Sequence, residues 1–279
     1  MIAYPIVEQM SFDWMIALFF FLSGTSAGSF LFSMMANYWK KDYKPLATTA
    51  AWIAPIVLAI GMFIALIDLG KPSRLWRLYL YLNPTSMLSW GIWFLSIFFL
   101  ITVAYLWLLK KDENKAKRLG YIGVLFALAA ASYTAVLLAQ APARALWHSS
   151  MVPPLFVLGG LISGVALVIL VSADKTDRAL INRLGRGLGW LILLELGLIP
   201  IEVLTLLNGG ADDVIAAKAL LVGEYSFLFW VVEIALGAVI PAAIFLRAKA
   251  SPRLQSAAAM LVLIGIFMMR YIIVMGGHM

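Results

Sequence analysis

Long apolar runs separated by short polar breaks dominate the chain. Eight of them approach or exceed the twenty or so residues that a helix needs to cross a hydrocarbon core of about 30 Å. They cover Trp14–Trp39, Leu46–Ile67, Met87–Leu109, Leu119–Gln140, Met151–Ser172, Leu188–Leu207, Tyr225–Leu246 and Leu254–Met275. No stretch alternates apolar and polar residues over the roughly ten positions of a membrane β-strand. The pattern therefore predicts an all-α, polytopic membrane protein of eight transmembrane helices. Pro55, Pro154, Pro200 and Pro241 fall within or beside these runs, which membrane helices tolerate because neighbouring groups re-satisfy the freed backbone. The first run is long and no charged segment precedes it, so it is expected to stay as a membrane helix rather than be cleaved as a signal peptide.

The breaks set the orientation. Those after the first, third, fifth and seventh runs hold Lys40, Lys41 and Lys44; Lys110, Lys111, Lys115, Lys117 and Arg118; Lys175, Arg178, Arg183 and Arg186; and Arg247, Lys249 and Arg253. The opposite side has only Lys71, Arg74, Arg77, Arg144 and Lys218. The positive-inside rule places the richer side in the cytoplasm and both termini outside. The outer breaks, DLGKPSRLWRLYLYLNPTS and APARALWHSS, are rich in Trp, Tyr, Pro and Arg. An interfacial aromatic belt accounts for part of that, and specificity is expected on this outer face.

A weak internal repeat accompanies the eight-span count. FFLSGTSAG (Phe20–Gly28) matches FVLGGLISG (Phe156–Gly164), each with a Gly-xxx-Gly step that lets helices approach closely. Ser86, Leu88 and Trp90 likewise match Ser226, Leu228 and Trp230. The reading is two parallel four-helix bundles, residues 1–150 and 151–279.

Composition narrows the chemistry. The chain has 279 residues, 63% of them hydrophobic and 13% charged, with a net charge of +7 and no cysteine. Disulfides, cysteine-ligated zinc and cysteine-ligated iron–sulfur clusters are excluded within it. Its two histidines, His148 and His278, lie at outer helix ends, so neither haem nor another metal is expected, and nothing suggests nucleic acid. Ionisable groups inside a membrane are costly and face the bundle interior. Glu195 and Glu202, seven apart, share one helix face; Glu233 and Arg270 lie on the last two spans. They form either an ion pair that locks the bundle or a proton relay. Asp68 closes the second span beside Lys71 and Arg74, as a cap with an interfacial ion pair or as a proton acceptor at the mouth of a site. Tyr133, with Gln140 two turns further out on the same face, needs a partner for its hydroxyl.

The segment Asp68–Gly91, DLGKPSRLWRLYLYLNPTSMLSWG, resembles the polysulfide reductase membrane-subunit family, also called the NrfD family: an acidic residue, Gly-x-Pro-x-Arg, then Asn-Pro-x-Ser ahead of Ser-Trp-Gly. The resemblance extends to the small-residue first helix, Tyr133, Pro142, Trp147 and the PPLF stretch at Pro153–Phe156. It implies a quinone-reactive membrane subunit in a bacterial inner membrane. Such a subunit exchanges electrons between ubiquinol or menaquinol and a four-cluster iron–sulfur subunit on the outer face, which serves a catalytic, often molybdopterin, subunit. It also implies that Tyr133 hydrogen-bonds a quinone carbonyl and that Asp68 is the acidic group near that pocket. Gln140, Trp147 and His148 complete the candidate quinone-binding set, and Asp68, Glu195, Glu202 and Glu233 the candidate proton-carrying set. Where some members carry Asn and His on the first helix, Ile16 and Phe19 stand here. A proton-coupled secondary transporter and a purely structural anchor are the competing readings.

Overall fold

The computed structural model describes residues 12–68, 75–80, 83, 85–140, 144–247 and 250–278. Eight helices among them are long and apolar enough to cross a membrane, and no strand occurs among the described residues. The chain is a multi-pass, all-α membrane protein.

In chain order the helices are α1 (Trp14–Met34, extended by a π turn to Trp39), α2 (Lys44–Asp68), the short α3 (Leu75–Leu80), α4 (Met87–Lys111), α5 (Glu113–Ala139), α6 (Ala145–His148), α7 (Val152–Ser172), α8 (Arg178–Leu207) and α9 (Ala211–Leu221). A π-helical run, Leu228–Val239, then continues as α10 (Ile240–Phe245), and α11 (Pro252–Gly276) completes the set. His278 Nε2 donates to the Phe12 carbonyl at 2.6 Å, which brings both ends of the described chain to one face, the terminal face.

Two spans start earlier than hydropathy predicts. Asp112 accepts from the Asn114 and Lys115 backbone N–H groups and so starts α5 at Glu113, two charged turns ahead of the apolar run. Asp177 caps α8 at Arg178, ten residues before Leu188. That polar turn is held by its neighbours: Asn182 Oδ1 accepts from Ala250 N at 3.1 Å and Gln255 Nε2 at 2.6 Å, and Arg183 reaches Asp42 at 3.0 Å.

Helices α1 and α7, which carry the two Gly-xxx-Gly steps, pack along one another. A Cβ on Gly160 would stand 2.9 Å from the Gly24 carbonyl oxygen, and one on Gly164 2.8 Å from Gly28 Cα. With lipid tails as apolar as the side chains, close backbone approach and interhelical hydrogen bonds hold membrane helices together. Thr25 Oγ1 donates to Ser163 Oγ at 2.9 Å across this contact. On its other side α1 ties itself to α2, where Ser26 Oγ and Ser33 Oγ donate to the Ala54 and Ala47 carbonyls at 2.7 and 2.8 Å. Helices α2, α4 and α5 complete a group of packed helices with α1, while α8 and α11 pack on α7 and the π run and α10 pack on α8 and α11.

Candidate functional site

The terminal half of α1, α2, α4 and α5 encloses a cavity of about 450 Å³, within the size range of small-molecule sites. Its walls are almost wholly apolar, with Phe19 and Phe20 of α1, Met62 of α2 and Ile92 of α4 among them. Four polar side chains break the lining: Asp68, Tyr79, Ser96 and Tyr133.

Tyr133 reaches the cavity from α5 because α4 makes room for it. A Cβ on Gly91 would fall among the ring atoms of Tyr133 and 2.5 Å from its hydroxyl. The side chain is 5% exposed and lines the cavity, and no hydrogen bond from a described residue reaches the hydroxyl. A buried phenol is rarely left in that condition, since an unsatisfied polar group costs about 1–3 kcal/mol. By contrast, Tyr79 and Ser96 share a hydrogen bond of 2.6 Å, and Tyr79 packs edge-on against Trp93. Asp68, the last residue of α2, stands at the terminal-face edge of the same cavity. Tyr79, Ser96 and Phe12 also line it, although the sequence carries no local signal for them: only the fold brings α3, α4 and the chain ahead of α1 together.

The remaining candidate ligands stand off the cavity. Gln140 Oε1 accepts from Met87 N at 3.2 Å and its Nε2 donates to the Thr85 carbonyl at 3.3 Å, joining the end of α5 to the start of α4. Trp147 Nε1 donates to the Ile273 and Val274 carbonyls at 2.8 and 3.2 Å. Its ring meets Phe12 and His278 edge-on, at 5.4 and 5.1 Å between centroids, so it braces the cavity from behind Phe12. His148 ends α6 and is exposed. Ile16 and Phe19 do face the cavity, as apolar wall. Lys71, Arg74 and Pro142 lie outside the described residues, as does Lys249.

Glu195, Glu202, Glu233 and Arg270 gather elsewhere. All four are buried, with Arg270 fully enclosed, and none lines the cavity. Arg270 makes no ion pair within 4 Å among the described residues. Its Nη2 instead donates to the Phe156 carbonyl at 2.6 Å and its guanidinium lies 3.6 Å from the Phe156 ring centre. Nε and Nη1 of Arg270 and Oε1 of Glu195 have no hydrogen-bond partner among the described residues. Arg270 and Glu195 still act on each other electrostatically, and the guanidinium adds a cation–π contact, favoured where the charge is desolvated. Phe156 in turn meets Phe20 of the cavity wall edge-on at 6.3 Å. Two aromatic rings therefore stand between the cavity and the buried charges. Among the described residues no three His, Asp or Glu side chains are grouped as metal ligands would be.

Residues 6–279 match the family described as Polysulphide reductase, NrfD. The chain belongs to that family. A selenate reductase subunit of Mesobacillus selenatarsenatis is 28% identical over 95% of this chain and 73% of its own length. A polysulfide reductase chain of Wolinella succinogenes is 24% identical over 98% and 96%. The Hdr-like menaquinol oxidoreductase integral membrane subunit of Archaeoglobus fulgidus is 30% identical over 59% of this chain and 43% of its own length. This NrfD-family chain is accordingly a membrane subunit of the oxidoreductase type, and its cavity stands in the part of the chain that carries the resembling motif.

Proposed function

We propose that this NrfD-family protein oxidises membrane quinol in the α1–α2–α4–α5 cavity and passes the electrons to a four-cluster iron–sulfur subunit docked on the terminal face. That subunit would serve a catalytic, molybdopterin-type subunit. The observation that carries the reading is Tyr133, which lines an otherwise apolar cavity with no protein hydrogen-bond partner for its hydroxyl among the described residues, and with Asp68 at the cavity edge. A quinol ring needs this combination: apolar walls for the ring and tail, a hydroxyl to fix one ring oxygen, and a carboxylate to take a proton. The charge asymmetry of the loops supports the terminal face as the outer face, in a bacterial inner membrane. The menaquinol oxidoreductase subunit among the relatives favours menaquinol as the substrate.

In this mechanism Tyr133 donates to a quinol oxygen and fixes the ring. Asp68 accepts a proton as the electrons leave. The buried Glu195, Glu202 and Glu233 serve as a proton route behind the Phe20–Phe156 pair. Proton uptake and turnover that were unchanged in a protein with all three replaced by Gln would remove them from the scheme.

The primary test is purification of the protein with its partners in mild detergent, as wild type and as Tyr133→Phe, followed by quinone extraction and assay of quinol oxidation. Bound quinone that weakens in the variant, together with an iron–sulfur partner, supports the proposal. A protein with no quinone and no partner refutes it. Quinone turnover indifferent to the variant removes Tyr133 from the site, and electron transfer without any bound quinone leaves only an anchor.

A further inference from the structure

The cavity mouth holds a second carboxyl that the sequence does not single out. Asp13 immediately precedes α1 and caps it, accepting from Met15 N at 2.8 Å and Ile16 N at 3.4 Å. Phe12, its neighbour in the chain, lines the cavity, and the Phe12 carbonyl is fastened by His278 at 2.6 Å. The backbone at residues 12 and 13 is thus held from both sides. So placed, Asp13 stands next to Phe12 at the cavity that Asp68 edges from the far end of α2, where the two carboxyls act on one another. Both side chains are part-exposed at the terminal face, and only Asp68 of the two touches the cavity.

We infer that Asp13 and Asp68 form a carboxyl pair that carries protons from the cavity to the aqueous face, with Asp13 as a positioning residue acting through Asp68. This rests on the quinol reading above. A hydrogen bond between two carboxyls contains one proton, and two carboxyls in contact exchange it as a unit rather than singly. Oxidation of one quinol breaks two O–H bonds and releases two protons and two electrons. The electrons go one at a time to iron–sulfur clusters of the partner subunit. Each proton passes to an Asp68 oxygen, is shared with Asp13, and leaves to water before the next arrives. The pair therefore needs to hold only one transferred proton at any moment.

The same residue is a helix cap, and substitutions separate the two roles. Asn and Ser cap a helix about as well as Asp does but cannot share a carboxyl proton. In the assembled complex, quinol oxidation is measured for Asp13→Asn, Asp13→Ser, Asp13→Glu, Asp68→Asn and the double variant Asp13→Asn/Asp68→Asn. Asp13→Asn and Asp13→Ser are expected to lower kcat about tenfold with KM and melting temperature unchanged, a modest part of what positioned acid–base groups contribute. Asp13→Glu is expected to recover most of the rate. Asp13→Asn is expected to add no further loss in the Asp68→Asn background. Wild-type kcat in Asp13→Asn, or losses that multiply in the double variant, would show Asp13 to be a cap alone and overturn the inference while leaving the quinol reading intact. A wild-type complex that neither binds nor oxidises quinol overturns both.

Discussion

Gly91→Ala is the sharpest perturbation available, because it moves Tyr133 without touching its chemistry. The added methyl carbon would lie 2.5 Å from the Tyr133 hydroxyl and closer still to the ring carbons Cε2 and Cζ. Carbon atoms settle at about 3.5–4.0 Å, so the phenol must retreat by roughly 1 Å or more. Overpacking of this kind costs about 1–3 kcal/mol. Against it, Ala is the better helix former by about 1 kcal/mol, so the net change in thermal stability is small. The hydrogen bond to the substrate is another matter. Losing it removes about 0.5–1.5 kcal/mol, or roughly two- to tenfold in quinol affinity, and a 1 Å misplacement lowers turnover by up to about a hundredfold. Quinol titration and steady-state oxidation of the purified complex, with a melting curve on the same sample, read all three quantities. The variant should bind and turn over weakly at near-normal stability, and it should add little to Tyr133→Phe. Wild-type affinity and turnover in Gly91→Ala would refute the placement of substrate against Tyr133.

Three further substitutions follow from contacts described above. Gly28→Ala places a methyl against the Gly160 carbonyl and 2.9 Å from Leu161 Cα; a backbone obstacle cannot swing aside, so yield and melting temperature should both drop, by about the 1–3 kcal/mol of an overpacked core or more. Trp147→Phe leaves the Ile273 and Val274 carbonyls without their indole donor and should lower stability by about 1 kcal/mol, together with quinol affinity, because Phe12 loses its brace. Gln140→Ala breaks the tie between α5 and α4 at an exposed position; a melting temperature lower by a few degrees with quinol affinity within about twofold would mark it as frame, whereas a roughly tenfold affinity loss would make it a ligand.

Hydropathy made the eight spans legible because the lipid core imposes a length and excludes charge, whatever the helices pack against. It failed where tertiary partners decide. The polar turn from Arg178 is helical because Asp177 caps it and Asn182 finds Ala250 and Gln255, contacts that no local window contains. At the candidate site, Asp68 and Tyr133 were legible by residue type and motif, and the fold brings both to one cavity. Tyr79, Ser96, Phe12 and Asp13 were not, since each is unremarkable in its own segment and acquires a place only when four helices close. Trp and Gln in an outer loop look alike from sequence whether they touch a ligand or hold the frame, and Trp147 and Gln140 make frame contacts. Arg270 invited a carboxylate partner on charge alone, and Glu195 is its electrostatic partner, but the aromatic face of Phe156 against the guanidinium could not be read from any local window.

The π-helical run at Leu228–Val239 has a consequence for how this protein can change in length. A π turn holds one residue more than the α turn it interrupts. Deleting a residue from α11 would rotate everything beyond it by about 100° and turn its buried stripe outward. Deleting one from the π run would let one of its turns tighten to the α form and leave both flanks near their places. Gly237 packs on Gly265 within this run, and Glu233 sits inside it. The seventh span therefore contains a slack link. There, a change of one residue re-aims a buried carboxylate instead of breaking a bundle.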